Sequence, residues 1–393
     1  MTEEKKGLAD FFMGEEKSWI QVMAQMHDHS MTLSGAPPRK FYSDATTLVE
    51  NTVDVANYYN LDTCVAFADA YNYEVEALGG KLIYGENSMP TIDFRDPLIK
   101  KPEDLDKLKK KEVDWYNDGR IPYVLESIEQ NMQYGSIQGI FCSPFSLAVG
   151  MCTYPRIIKY MRKNPELAHE IYTFITDDVL EPYLKAQNDE CGIMMALGAD
   201  AWACIPNLSI KDMQEWVVPY NQRLFEKLKK FGVMAMSISG DYCEERLDKF
   251  DTKILHDSFD IEIASQGGMP SLFLGMGRWH EYPLEPVKEY TKKYRDQGTT
   301  LTVAAGVNAR LLRDGPIELI VETVKKFIDA FGRDDKLTIF LANIPADAPS
   351  DHIHAAVEAA HTYGRFPIAE NLDDIEFKLP KRETFREWKE KNK

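Results

Sequence analysis

Short apolar runs recur along the chain, each separated from the next by a longer stretch in which hydrophobic residues fall three or four apart. The runs cover residues 19–27 (WIQVMAQMH), 63–69 (TCVAFAD), 137–144 (IQGIFCSP), 198–206 (GADAWACIP), 233–240 (VMAMSISG), 271–277 (SLFLGMG), 300–307 (TLTVAAGV) and 338–344 (TIFLANI). Their hydrophobicity is continuous rather than alternating, which marks strands buried on both faces, as in a parallel sheet. The stretches between them carry helix signals. Asn164-Pro165-Glu166 opens a helix through LAHEIYTFITDDVLEPYLKAQ, because Asn caps and Pro suits the first turn. Ser209 opens SIKDMQEWVVPYNQRLFEKLKKFG, whose apolar spacing runs past Pro219 to Gly232, and Asp314-Gly315-Pro316 and Ser350 open two more. Strand-like runs alternating with helices predict a (β/α)8 TIM barrel forming a single domain over residues 1–393. A doubly wound sheet is the competing arrangement, but no GxGxxG follows the first strand. Residues 85–136 depart from the repeat. They read as an irregular and helical elaboration, with KKPEDLDKLKKKEVDWYNDGR expected to form a solvated helix face.

Charge narrows the partners. Lys and Arg number 46 against 63 Asp and Glu, a formal net charge of −17, which argues against nucleic acid or an anionic membrane surface. The six cysteines are scattered and form no CxxC, so they read as reduced, buried thiols of a cytoplasmic protein. The opening MTEEKKGLADFF is charged and lacks an apolar core of signal-peptide length. No run approaches the ~18 apolar residues that cross a bilayer.

In a barrel, reacting groups sit at the carboxyl ends of the strands and in the loops that follow. That rule selects His27 and His29 after the first run; Asp69, Tyr71, Asn72 and Glu74 after the second; and Ser143 and Phe145 after the third. Pro206 and Asn207 follow the fourth, with Trp202 inside it. Ser237, Ser239, Asp241 and Cys243 close the fifth, Arg278-Trp279-His280-Glu281 follow the sixth, and Asn343 ends the last. Each has a plainer reading. A strand-end Asp commonly caps the next helix, and His280 could be an ordinary loop residue. His27-Asp28-His29 resembles a metal pair if it lies on a strand, where alternate residues face the same way, but two histidines without a third ligand are thin support for zinc. The methionines read as core filling. No GxSxG, P-loop or HExxH is present.

The segments AFADAYNYEVEALGGKLIYGENSMPTI, GIFCSPFSLAVGM, LGADAWACIPNLSIKDMQEWVVPYNQRLFEKLKKFG, AAGVNARLLRDGPIELI and ANIPADAPSDHIHAAVEAAHTYG resemble, in order, those of the uroporphyrinogen decarboxylase superfamily. The resemblance spans residues ~20 to ~367 and itself implies the (β/α)8 barrel. The superfamily holds tetrapyrrole decarboxylases and corrinoid-dependent methyltransferases. The decarboxylases carry arginines in a first-strand loop like Arg-Gln-Ala-Gly-Arg to hold the carboxylates. Here that loop is QMHDHSMTLSG, with no arginine before Arg39, which leaves Asp69 alone as the match to the family's central aspartate. Methyltransferases that act on thiols use a zinc site like His-x-Cys plus a distant Cys, and the matching positions here are Ser237, Ser239 and Asn343.

The resemblance therefore implies the remaining branch, the O-demethylase type of first methyltransferase. Such an enzyme moves a methyl group from a small donor, often a methoxylated aromatic compound, to the cobalt(I) of a partner corrinoid protein. Cobalamin would then reside on the partner, and zinc at other ligands stays open. On this expectation Asp69, His27, His29 and His280 are catalytic. Tyr71, Asn72, Glu74, Phe145, Trp202, Asn207, Ser237, Ser239, Asp241, Trp279 and Asn343 bind the donor. A homodimer is expected by resemblance alone. Methanol, a methylamine or a methyl thioether are alternative donors, and a catalytically silent barrel that binds a tetrapyrrole or corrinoid is the reading from another class.

Overall fold

The apolar runs that fall among the described residues form parallel strands, buried by helices on one side and by facing strands on the other. The computed structural model describes residues 18–63, 69–136, 138–267, 270–334 and 336–392. Its strands are β1 (Gln21–Ala24), β2 (Leu82–Ile83), β3 (Thr91–Ile92), β4 (Gln138–Cys142), β5 (Met195–Asp200), β6 (Met234–Ser239), β7 (Ser271–Leu274), β8 (Thr302–Val307) and β9 (Lys336–Leu341). One parallel sheet has the order β1-β9-β8-β7 and a second the order β4-β5-β6; β2 and β3 form a small antiparallel pair. In register, Gln21 faces Thr338, Ala305 faces Ile339, Gly198 faces Ser237 and Asp200 faces Ser239. Seven of the eight expected runs thus overlap a strand, while residues 64–68 of the run at 63–69 lie outside the described residues. The architecture is of the TIM-barrel type.

Apolar side chains sort into three groups. Two large clusters fill the spaces between strands and helices, one around Phe141, Tyr172 and Trp216 and the other around Val303, Phe327 and Ile339. The third is small and lies between the strands themselves: Met236, Phe273 and Ala304, with Met23, Leu197, Ile238 and Phe340 against them. It is the interior layer of the barrel. Gly306 permits close approach of two of its strands, since a Cβ there would sit 2.1 Å from the Leu274 carbonyl oxygen.

Most helix signals hold. Asn164 caps Pro165–Phe174 by accepting from the Leu167 N–H, and the helix continues through a π-helical stretch (Ile175–Leu180) into Glu181–Cys191. Ser209 forms a capping box with Asp212. Pro219 is a correction, because the helix breaks at Val217 and restarts as Val218–Leu228 with Pro219 in its first turn, where its missing N–H costs nothing. The elaboration at 85–136 is also corrected in part. Its lysines are largely solvated, but Leu105, Leu108 and Trp115 are buried, and Arg120 is only 7% exposed. Among the described residues no helix is long and apolar enough to cross a membrane. Cys142, Cys152, Cys191 and Cys204 are buried and Cys243 half-buried, all as free thiols.

Candidate active site

A cavity of about 200 Å³ opens at the carboxyl ends of the strands. Its floor comes from within the strands: Met23 of β1, Leu197 of β5, Phe273 of β7 and Phe340 of β9. Its rim comes from the residues that end the strands or follow them, with His27 after β1, Ser239 and Asp241 at β6, Met276 after β7 and Asn343 after β9. Tyr71 and Met89 close one side. Among the described residues that line the cavity there is no lysine or arginine.

Asp241 is the one carboxylate among the described lining residues. It is 5% exposed and accepts hydrogen bonds from the Met276 N–H (2.7 Å), the Gly277 N–H (3.3 Å) and the Trp279 indole N–H (2.6 Å). Burial raises it to about 6, and those three donors, which favour the charged form, hold it below where burial alone would take it. Trp279 is itself fully buried, so it acts on the cavity through Asp241. Asn343 sits at φ 50°, a left-handed conformation that Asn tolerates better than most side chains, and its loop follows directly from β9.

His27 lines the cavity at the start of the helix His27–Ser34. Burial holds its imidazole below the usual value, while the nearby negative charges of Asp28 and Asp69 pull the other way. His29 faces elsewhere. Its Nδ1 lies 3.1 Å from the Pro345 carbonyl and its Nε2 2.7 Å from the Tyr59 hydroxyl, and burial lowers it to about 4. A carbonyl can only accept, so the neutral ring carries its proton on Nδ1 and takes the Tyr59 hydroxyl on Nε2. The expected shared face of His27 and His29 is therefore corrected. The pair lies on a helix, where i and i+2 point apart, and not on a strand.

Asp69 is fully buried behind the wall. Its two oxygens receive both terminal nitrogens of Arg120 (2.9 and 3.2 Å), and Asn72 Nδ2 adds a third bond at 2.8 Å. Arg120 also donates to Glu76 (2.7 Å) and to the Tyr42 carbonyl (2.8 Å). Neither Asp69 nor Asn72 lines the cavity, whereas Ala70 and Tyr71 between them do. Burial raises the Tyr71 phenol well above its ordinary value.

The remaining predicted residues divide. Glu74 is buried, accepts from the Cys142 N–H (2.7 Å) with one oxygen and leaves the other unpartnered; burial raises it to about 8. Phe145 packs 6.4 Å from Tyr172 in the outer layer. Ser237 Oγ donates to Ser143 Oγ (2.6 Å) away from the cavity. Trp202 is 37% exposed and stacks on Tyr154 at 5.4 Å, with Asn207 Nδ2 donating to its carbonyl. His280 is beside Glu281 (3.7 Å) outside the cavity, and burial lowers it too. Among the expected zinc positions only Ser239 and Asn343 reach the cavity. No group of three or more His, Cys, Asp or Glu among the described residues could hold a metal. This donor set would bind zinc poorly.

Sequence reasoning missed Asp200, Arg120 and the interior layer. Asp200 is buried at the end of β5, between Ala199 and Ala201 of the cavity wall. One oxygen accepts from the Ser146 N–H (2.9 Å) and hydroxyl (2.6 Å); the other has no partner, and burial raises it to about 7. The strand-end rule would have selected it had the strand been placed at Met195–Asp200 instead of at 198–206. The same displacement, Leu274 in place of 277, hid Met276.

A family model described as uroporphyrinogen decarboxylase (URO-D) matches residues 17–363. The uroporphyrinogen decarboxylase of Myxococcus xanthus is 30% identical over 194 residues, 47% of this chain and 52% of that protein, so the chain spans about half the length of this curated relative. That of an Acidovorax species is 24% identical over 375 residues, 88% of this chain and 92% of that one. A solved methyltransferase from Methanosarcina mazei superposes with a TM-score of 0.66 at 18% identity, over 90% of this chain and 97% of that chain. At that identity the likeness is one of fold.

Proposed function

This chain belongs to the uroporphyrinogen decarboxylase family, and we propose that within it the protein is a methyltransferase that takes a methyl group from a methoxylated aromatic compound and passes it to the cobalt(I) of a partner corrinoid protein. The observation that carries the reading is the cavity: about 200 Å³, floored by the apolar side chains of Met23, Leu197, Phe273 and Phe340, with the uncharged polar side chains of Gln25, Thr52 and Thr63 also lining it and Asp241 at its rim. Cavities of ~150 Å³ lined by aliphatic and aromatic side chains accept a single benzene ring. A tetrapyrrole with several carboxylates would need more room and cations, and no lysine or arginine is found among the described lining residues. The solved methyltransferase of the same fold adds support for the class.

In this reaction the methyl–oxygen bond breaks and its electron pair stays on the aromatic oxygen, while cobalt(I), as co-substrate, supplies the pair for the new carbon–cobalt bond. The oxygen leaves readily only as it gains a proton. Asp241 is the donor in this scheme, because it lines the rim and its raised pKa keeps a protonated fraction near neutrality. His27, Ser239 and Asn343 orient the ether oxygen, and Tyr71 and Phe273 flank the ring. Asp69 is a positioning residue here, anchoring Arg120 and the loop that carries Tyr71.

The test mixes purified protein, a cobalt(I) corrinoid protein and methoxylated aromatics without oxygen, following loss of the cobalt(I) absorbance and appearance of methylcobalt. Methylation by a 2-methoxyphenol is the expected result. Reaction only with methanol or methylamines would refute the donor class, and no transfer from any donor would refute the methyltransferase reading.

A further inference from the structure

The cavity sorts its charged and apolar groups by depth, and depth determines which substituents a donor can carry. A methyl group that is to reach a second protein must lie at the rim, so its ether oxygen lies among His27, Ser239, Asp241 and Asn343. The far side of the ring then points down the barrel. There it meets Met23, Leu197, Phe273 and Phe340, backed by Met236 and Ala304. None of these offers a hydrogen bond or a positive charge. The rim adds only Asp241 as a formal charge among the described lining residues, and its sign is negative.

An ionised carboxylate on the ring would therefore meet no lysine or arginine among the described lining residues, whose other polar side chains, such as Gln25, Thr52, Thr63, Ser239 and Asn343, are uncharged. Inside the cavity it would lose its water without gaining an ionic partner, and at the rim it would face Asp241. A cation fares little better. Three N–H donors already engage the Asp241 carboxylate, and the described floor residues supply no second anion. We infer that the cavity selects uncharged methoxyarenes, phenols and their neutral derivatives, and excludes aromatic carboxylates of the same size by charge. The inference rests on the methoxylated-aromatic reading above and specifies its substrate class.

Calorimetric titration of the whole chain at pH 7.5 tests it without requiring turnover. The probes are 2-methoxyphenol, its 4-carboxamide, its 4-carboxylate and 2-methoxy-N,N,N-trimethylanilinium. The carboxamide, matched in size to the carboxylate, should bind within about tenfold of 2-methoxyphenol, and the carboxylate at least 100-fold more weakly. Equal weakness of carboxamide and carboxylate would show exclusion by size and overturn the inference. So would a carboxylate or ammonium that binds as well as the neutral ring, or a neutral ring that fails to bind. Adding the cobalt(I) assay separates the two claims: the expected binding order without methyl transfer would count against the methyltransferase reading alone, whereas transfer from the carboxylate in preference would count against the charge selection alone.

Discussion

Replacing Arg120 with methionine removes the cation that neutralises Asp69, at a site where water cannot take its place. Asp69 is fully buried and Arg120 is 7% exposed, with paired contacts at 2.9 and 3.2 Å. Breaking a buried pair of this kind costs ~3–5 kcal/mol, because the remaining charge stays desolvated. Loss of the half-buried Glu76 contact (2.7 Å) and of the bond to the Tyr42 carbonyl puts Arg120→Met toward the upper end of that range. Asp69→Asn leaves Arg120 with Glu76 as partner and should cost less, ~2–3 kcal/mol. The double variant carries neither orphaned charge. Its loss should fall short of the sum of the singles by ~2 kcal/mol or more. Urea denaturation at pH 7 reads this from the midpoints, provided the slopes agree. An Arg120→Met loss under ~1 kcal/mol, or strict additivity, would refute the idea that this pair holds the wall. Turnover adds a second readout. If Asp69 positions and does not transfer a proton, Asp69→Asn should slow the reaction yet keep the shape of the pH profile, and loss of a titrating limb would return Asp69 to the chemistry.

Three further tests follow from buried titratable groups. Asp200 is raised from 3.8 to about 7, so its contribution to stability is intact below pH ~4 and is lost as pH rises through 7. At ~1.4 kcal/mol per tenfold change in proton affinity, Asp200→Asn should be more stable than the parent by up to ~4 kcal/mol at pH 8, an advantage that should vanish near pH 4 in parallel urea titrations. His29 is lowered from 6.5 to about 4, so its contribution is present above 6.5 and lost as pH falls through 4. His29→Gln should flatten that acid limb by roughly 3 kcal/mol, and an unchanged limb would mean that the ring is not held neutral. Trp279→Phe removes a 2.6 Å donor from Asp241. The alkaline limb of the kcat/KM profile should then move up by about one pH unit, and a limb that stays in place would exclude Asp241 as the acid.

What the sequence determined was the repeat. Continuous apolar runs must be buried on both faces, which a parallel sheet provides, so the parallel strands were legible without coordinates, as were the family segments. The cap at Ser209 and the helix opening at Asn164 were equally readable, because their partners lie three residues away in the chain. The tertiary structure decided which strand-end residues share a cavity. His27 and His29 are neighbours in sequence, but a helix sends one to the cavity and the other to Tyr59. Asp69 and Asp241 looked alike as strand-end acids. Arg120, 51 residues away in a charged stretch that read as surface, claims the first, and the indole of Trp279, 38 residues away, holds the second at the rim. Such pairings depend on where the strand ends fall to within a residue or two and on contacts across the fold, and neither is encoded in local periodicity.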